Sequence, residues 1–114
     1  MANITNKRLT EGTVLTTTAA TMYTAPTAIS TLIKKVTFAN VAAVAVTVTA
    51  YLIPLGGTAG ASNTILLTVS VGANSTFEAY VMENHVLATG DFVQALCSAA
   101  TSVTFAMSGI EILN

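Results

Sequence analysis

The stretch VAVTVTAYLIPL, residues 44–55, decides the fold of this chain, together with the run from residue 36 to residue 43 before it. The combined segment of 20 residues contains no charge, and about 20 apolar residues are enough to cross a bilayer as a helix. Val44, Val46 and Val48, however, alternate with Ala or Thr in the period of two that is typical of a β-strand. The stretch is therefore either a membrane-spanning helix or the central strand of a β-sandwich.

The surrounding sequence favours the strand. Asn40 and several threonines interrupt the apolar run, and Pro54 followed by Gly56 and Gly57 ends it. No other segment keeps a helical period, and turn signals recur at the spacing of about 8–12 residues expected of a sandwich or small barrel. We predict an all-β protein, a single antiparallel β-sandwich or jelly roll of seven to eight strands with an extended N-terminal arm, and no membrane partner.

The predicted strands follow the β-branched and alternating segments. They cover residues 13–18, 29–39, 44–53, 64–71, 76–83, 92–98 and 102–113, with a short edge piece at 22–24. Lys34 and Lys35 are adjacent, so on a regular strand they would point to opposite faces, which indicates a bulge or a strand edge. Within residues 44–53 we place the three valines in the core and Thr47 and Thr49 on the outward face. Within residues 64–71 we place the odd-numbered side chains together on one face.

The N-terminal segment predicts a different structure. Residues 1–12 are polar and lack periodicity, so we predict an extended N-terminal arm followed by a β-sandwich domain over residues 13–114. The segment has no apolar region of the kind that a secretory signal peptide needs. A polar arm is either solvated or held by a neighbouring molecule.

Charge is scarce in this sequence. Charged residues make up 8% and hydrophobic residues 53%, against a usual charged share of about 25%. Low charge density and a net charge of −1 both favour association, so we predict a subunit whose surface is largely covered by neighbours. The absence of a basic tail argues against nucleic acid as a partner.

The sequence offers no catalytic constellation. His85 is the only histidine and Cys97 the only cysteine, and the five acidic residues are scattered. A metal site of the usual kind needs several such ligands, and acid–base catalysis needs a positioned pair or triad. We therefore expect no metal, no cofactor and no enzymatic activity.

The order of several short motifs resembles a known group of proteins. The motifs are MYTAP (22–26), LIKKVTFAN (32–40), VTVTAYLIP (46–54), NHVLATGDFVQA (84–95) and VTFAMSGIEI (103–112). Together they resemble small all-β head decoration, or cement, proteins of tailed bacteriophages, which have jelly-roll or β-sandwich folds. The resemblance covers about residues 13–113.

The resemblance implies a virion protein that binds the outside of an assembled capsid, bridges capsomers and stabilises the shell. Its expected partners are the major capsid protein or other virion subunits, together with further copies of itself as a dimer or trimer. Its expected location is the capsid exterior, after assembly in the cytoplasm of the bacterial host. The alternatives are a host- or receptor-binding module of a tail fibre or spike, and another tail or neck component.

Two kinds of residue are candidates for contacts with other subunits. The outward threonines of residues 44–53 carry no charge, which we expect another subunit to cover. The second kind is cationic, namely the cations of the arm and the lysine pair, which we expect to contact the shell. The lysines equally fit a solvated edge that discourages pairing with strands of other molecules. The predicted contact residues are Asn3, Lys7, Arg8, Lys34, Lys35, Thr47 and Thr49.

Overall fold

Nine β-strands form in the computed structural model, which describes residues 4–113. They are β1 (Ile4–Val14), β2 (Ala20–Thr24), β3 (Ile29–Asn40), β4 (Val46–Ile53), β5 (Thr64–Val71), β6 (Thr76–Glu78), β7 (Val86–Leu87), β8 (Phe92–Cys97) and β9 (Val103–Leu113). Single-turn 3-10 helices lie at Ala61–Asn63 and Tyr80–Met82. The all-β class predicted from the alternating segments is confirmed.

The strands form two antiparallel sheets. The five-stranded sheet has the order β1-β9-β3-β6, with β7 also paired to β3, and the four-stranded sheet has the order β2-β8-β4-β5. The pairs are nested, because β1 joins β9, β2 joins β8, β3 joins β6 and β7, and β4 joins β5. A long hairpin rolled into two facing sheets in this way is a jelly roll. The predicted β-sandwich is therefore confirmed, and its connectivity is that of a jelly roll.

The core lies between the two sheets and is centred on two phenylalanines. Phe38 of β3 and Phe105 of β9 are fully buried, with ring centroids 5.1 Å apart. Val46 and Val48 of β4 are buried as predicted. Val44 is 63% exposed, because β4 begins only at Val46, so its predicted place in the core is wrong.

Asn40 explains where β4 begins. This buried side chain donates hydrogen bonds from Nδ2 to the carbonyl oxygens of Val44 (2.8 Å), Val71 (3.1 Å) and Gly72 (3.1 Å), and its Oδ1 accepts one from the Ala42 N–H (2.9 Å). The turn after β3 is thereby tied to the end of β5. The uncharged stretch 36–55 thus contains the end of β3, a turn held by the Asn40 hydrogen bonds, and β4.

No helix formed by residues 4–113 is long and apolar enough to span a membrane.

The structure does not confirm the extended N-terminal arm. Ile4–Val14 forms β1 at the edge of the five-stranded sheet and pairs with β9 from Ile4–Ile112 to Val14–Thr104. Charged side chains on an edge strand face solvent, and a register shift after Arg8 breaks the alternation, so the strand carries little periodic signal. The strand predicted at 13–18 ends at Val14, and residues 1–3 of the predicted arm lie outside the described residues.

Strand β5 spans the predicted residues, but its side chains do not alternate regularly between core and solvent. Two register shifts relative to β4 interrupt it, and Thr68 has a φ of 46°. Leu66 and Val71 are buried, whereas Leu67 is 69% exposed. Ile65 and Val69 are partly buried and pack against the core. Of the four odd-numbered residues predicted to share one face, only Leu67 departs from it, because an irregular strand does not keep the period of two.

The segment predicted as one strand over residues 76–83 also differs. Only Thr76–Glu78 pairs with β3, and the chain then makes the 3-10 turn Tyr80–Met82. Alternation over a strand at 76–83 predicts Val81 inward and Met82 outward, but Met82 is buried and Val81 is exposed. The turn carries the chain from β6 to β7, which both pair with β3.

Candidate interaction face

The four Lys and Arg residues of the sequence meet at one level of the five-stranded sheet. Lys7 and Arg8 lie on β1, Lys34 and Lys35 lie on β3, and β9 runs between these strands. Arg8 and Lys35 both pair with Ser108, so they flank it on the outward face. The sequence predicted these cations as contact residues but did not predict that they converge.

Two bulges produce this convergence. On β1, Arg8 and Thr10 pair with the adjacent β9 residues Ser108 and Met107, so Leu9 between them is an extra residue without a partner on β9. On β3, Lys34 is likewise an extra residue between Ile33 and Lys35. The bulge predicted for the lysine pair is thus present. An extra residue increases local twist and re-aims the neighbouring side chains. Both bulges face the same short segment of β9, residues 107–109.

Gly109 allows the strands to close at this point. A Cβ built on Gly109 would collide with the backbone carbonyl of Leu32 and would lie 2.8 Å from Leu9 Cδ1. The bulged strands on both sides therefore pack against a position that has no room for a side chain. The cation cluster depends on this glycine.

An apolar patch adjoins the cations on the outward face. Cross-strand pairing places Ile4 beside Ile112, and Ile110 beside Leu32, which in turn pairs with Val86. Ile4 and Val86 are each 66% exposed, and the other three are partly exposed. We call these five residues the apolar patch. An open depression of about 500 Å³ lies beside it, between Ile110 and the cations.

The cations differ in how strongly they are paired. Lys35 Nζ lies 3.4 Å from Glu78 Oε2, whereas Arg8 reaches Glu11 only at 4.0 Å, with both side chains well exposed. Exposed pairs of this kind contribute about 0–1 kcal/mol. Arg8 therefore remains available to a partner.

Carboxyl groups occupy the opposite edge of the same face. Glu78 lies on β6, and Glu83 follows the 3-10 turn beside it. Hydrogen bonding to Glu78 raises the pKa of Glu83, burial raises it further, and Lys35 and Lys34 act in the opposite direction. The face thus has Arg8 on its β1 side, Lys34 and Lys35 on β3, and carboxyl groups on its β6 side, where Lys35 pairs with Glu78.

Lys7 is half exposed and pairs with a network whose other members are buried. Its Nζ lies 3.4 Å from Glu111 Oε1, and Glu111 accepts a 2.6 Å hydrogen bond from the Tyr23 hydroxyl, which is also 2.8 Å from Thr31 Oγ1. Burial, followed by the bond to Glu111, raises the pKa of Tyr23 far above its usual range. Since Tyr23 belongs to β2 and Glu111 to β9, the network joins the two sheets.

The strands of the four-stranded sheet contain no charged residue. On its outward face Thr47 is partly exposed, as predicted, but Thr49 is only 4% exposed. The Thr49 hydroxyl accepts a hydrogen bond from the Thr68 backbone N–H (3.0 Å) at the irregular part of β5. The predicted exposure of Thr49 is therefore wrong. Asn3, also predicted as a contact, lies outside the described residues.

The remaining candidates for chemistry are dispersed. His85 is exposed, and Cys97 is buried with its Sγ 3.0 Å from the Ala99 carbonyl oxygen. Asp91 accepts hydrogen bonds from two backbone N–H groups, Leu55 at 3.1 Å and Ala88 at 3.0 Å, so it joins its own loop to the segment that follows β4. Across the described part of the chain, no group of three or more His, Cys, Asp or Glu residues is placed to hold a metal ion.

Comparison with known proteins gives few matches. No family profile matches the chain, and no curated protein matches it. A chain in the structure of infectious bursal disease virus Gx strain is similar over 97% of this chain and 31% of its own length, with 14% sequence identity and a TM-score of 0.44. This chain therefore spans about a third of that chain's length.

Proposed function

We propose that the protein is a structural subunit of a virion that binds the outside of an assembled bacteriophage capsid as a decoration or cement protein. In this role it bridges capsomers and stabilises the shell, with the major capsid protein or other virion subunits as partners. It acts on the capsid exterior, after assembly in the cytoplasm of the bacterial host. We propose no catalytic role and no cofactor.

The observation that carries this proposal is the uncharged four-stranded sheet. Its outward face offers hydroxyl, amide and aromatic side chains, such as Thr47, Tyr51, Gln94 and Phe92, on strands that lack any charge. A charged group that enters an interface must be desolvated and paired, which costs free energy. A face without charged groups does not incur this cost. A broad neutral face is therefore suited to lie against another subunit.

The fold and attachment at several sites are both compatible with the proposed role. Jelly rolls recur in viral capsid proteins, although they also occur in lectins and cupins, so the fold alone does not decide function. A shell presents many equivalent sites, and a subunit that engages several neighbours gains affinity through multivalency. Such attachment needs contact area rather than a deep pocket. The depressions on the surface of this protein are open.

The first test is the copy number and location of the protein in purified virions. We expect many copies spread over the head in quantitative mass spectrometry and in labelling by electron microscopy. A few copies confined to the tail tip or neck would contradict the proposal and favour the fibre, spike or neck alternatives.

A second test uses the neutral face directly. Thr47→Glu places a charge on that face, whereas the control Thr58→Glu places one on an exposed loop. Because burying an unpaired charge costs several kcal/mol, we expect Thr47→Glu to weaken binding to undecorated particles at least tenfold and Thr58→Glu to leave it unchanged. Equal binding by the two variants would exclude this face as the contact surface.

A further inference from the structure

We propose that the depression between Arg8 and Lys34, together with the apolar patch beside it, binds an extended peptide segment of another protein. The segment carries an acidic side chain that enters the depression, followed by apolar side chains that lie on the patch. The inference does not depend on the proposed role in a virion, because the neutral face that we assign to capsid contacts belongs to the other sheet.

The depression has the donors of a site for an anion. Arg8 of β1 and Lys34 of β3 line it on two sides, and Ser108 and Gly109 of β9 lie between these strands. Asn6 lines the same depression. Guanidinium, ammonium, hydroxyl and amide groups all donate hydrogen bonds, and a carboxylate accepts them, in a bidentate manner from arginine. The chemistry of the lining therefore selects a carboxylate.

The two cations of the depression keep their charge available. Lys34 Nζ lies 3.5 Å from the uncharged amide oxygen Oδ1 of Asn84, and an ammonium has two further N–H donors. Arg8 reaches Glu11 only at 4.0 Å, on the exposed surface. Among the described residues, the lining of the depression contains no carboxyl group. A negatively charged partner therefore complements this site.

The carboxyl groups of the same face lie outside the depression. Glu78 of β6 is 3.4 Å from Lys35 Nζ, so this lysine is already paired. Glu83 follows the 3-10 turn and interacts with Glu78. Arg8 and Lys34 are therefore the cations that determine the sign of the partner at the depression.

The apolar patch begins where the depression ends. Ile110 lines the depression and also belongs to the patch, and Ile112 follows it on the same face of β9. Leu32 and Val86 extend the patch towards β7, and Val86 is 66% exposed. A contiguous exposed apolar cluster is typical of an interaction site. The two adjoining parts together suit a ligand with an acidic end and an apolar end.

The spacing along β9 selects an extended peptide. Ser108, Ile110 and Ile112 are alternate residues of this strand, so they lie about 6.8 Å apart, twice the rise of about 3.4 Å per residue. Side chains on one side of an extended peptide repeat at the same distance. A segment with the pattern acidic-x-apolar-x-apolar, laid over β9, places its acid above Ser108 and its apolar side chains above the two isoleucines.

Other kinds of partner use this surface less completely. Attachment to an anionic membrane typically needs a cluster of about four to eight cations, whereas two cations line the depression without a paired carboxylate. A nucleic acid gains affinity from each phosphate that is neutralised, and it makes no use of the apolar patch. A peptide engages both the depression and the patch.

The experiment measures binding of a peptide to the purified chain by fluorescence anisotropy. The probe is Gly-Ser-Asp-Thr-Val-Thr-Ile-Ser-Gly with blocked ends and an uncharged dye. We expect saturable binding that weakens at least tenfold when Asn replaces the Asp of the probe, because hydrogen bonds to charged groups contribute enough for about a tenfold change in affinity. Equal binding of the Asp and Asn probes, or no saturable binding at millimolar concentration, would overturn the proposal.

Variants of the protein locate the site. Arg8→Gln, Lys34→Gln and Ile110→Thr should each raise the Kd at least tenfold, with circular dichroism melting curves verifying that each variant is folded. The matched control Lys35→Gln removes the neighbouring cation that Glu78 already pairs, and it should leave the Kd within about twofold of the wild type. Equal effects of Lys34→Gln and Lys35→Gln would show that general positive charge binds the probe, which would overturn the site.

The other partners are distinguished in the same assay. Displacement of the probe by phosphatidylserine vesicles or by duplex DNA more effectively than by unlabelled peptide would overturn the proposal in favour of those partners. Self-association in sedimentation equilibrium that Arg8→Gln abolishes would assign the surface to a second copy instead. Thr47→Glu, on the other sheet, should leave peptide binding unchanged, so failure of peptide binding and failure of capsid binding are separate results.

Discussion

The two sheets of this jelly roll share one core but differ in charge. The strands of the four-stranded sheet carry no charged residue, whereas those of the five-stranded sheet carry all four Lys and Arg residues and three of the five acids. The charged sheet is also the one with bulges on both sides of a buried glycine. A protein this poor in charge has placed its charged side chains on one sheet and left the other neutral. Among the strands, charge is therefore confined to one of the two sheets.

The change with the largest expected effect removes the geometry of the charged sheet. Gly109→Ala places a methyl group against the Leu32 carbonyl, and forcing volume into a tight site costs about 1–3 kcal/mol. We expect a loss of about 3 kcal/mol in the free energy of unfolding, at the top of that range, because a backbone atom is the obstacle. Urea denaturation followed by circular dichroism measures it.

The control for this change is Gly60→Ala. Its Cβ would meet nothing within 4 Å and its backbone is extended, so its free energy of unfolding should stay within about 0.5 kcal/mol of the wild type. Equal free energies of unfolding for the two variants would show that the close approach of Leu32 to Gly109 does not limit stability.

The next effect concerns the network that joins the charged sheet to the neutral one. Tyr23→Phe removes the hydrogen bonds to Glu111 and Thr31, and we expect a loss of about 2 kcal/mol, since bonds to charged groups contribute about 1.5–3 kcal/mol. Tyr80→Phe is the control, because Tyr80 is exposed, and its stability should not change measurably.

The same tyrosine predicts a dependence on pH. The folded state raises the pKa of Tyr23 above its unfolded value, which is about 10. Its contribution is therefore fully present below about pH 10 and is lost progressively as the pH rises beyond it. The wild type should lose stability over this alkaline range more steeply than Tyr23→Phe does. Parallel curves from denaturation at successive pH values would contradict the assignment.

The smallest effect lies in the neutral sheet. Thr49→Val keeps the shape of the side chain but leaves the Thr68 N–H without its acceptor, so we expect a loss of about 1 kcal/mol. Thr47→Val, two positions away on the same strand and partly exposed, should change stability by less than about 0.5 kcal/mol. A larger loss for Thr47→Val, measured in the same denaturation assay, would reverse the roles of the two threonines.

Strand positions were predictable where alternation is regular. The segments predicted at 92–98 and 102–113 match β8 and β9 to within a residue at each end. β1 escaped prediction because its charges face solvent on an edge and Leu9 interrupts its period. Leu67 of β5 was predicted on the wrong face because a local irregularity at Thr68, with its positive φ, has no signature in a run of β-branched and aliphatic residues.

The candidate face was predictable only in part. Lys7, Arg8, Lys34 and Lys35 were predicted as contact residues, and nothing in the sequence indicated their convergence, which requires β9 to lie between β1 and β3. That pairing joins segments about 100 positions apart and leaves no local signal. The apolar patch was missed because β9 is apolar on both faces, with Phe105 and Met107 inside and Ile110 and Ile112 outside. The burial of Thr49 depends on the irregular part of β5 beside it. A simple alternation of inward and outward residues does not predict this irregularity.

The nested pairing of the strands has a consequence for the order of folding. Ile4 pairs with Ile112, so β1 has no partner strand until nearly the whole described chain is available. Contacts between such distant segments form slowly, because the closure entropy is lost before the contacts are gained. The apolar patch spans β1, β9, β3 and β7, and it is complete only when this late step is finished. A partly folded chain therefore lacks the complete apolar patch, and any interaction that uses this patch becomes possible only after β1 has paired.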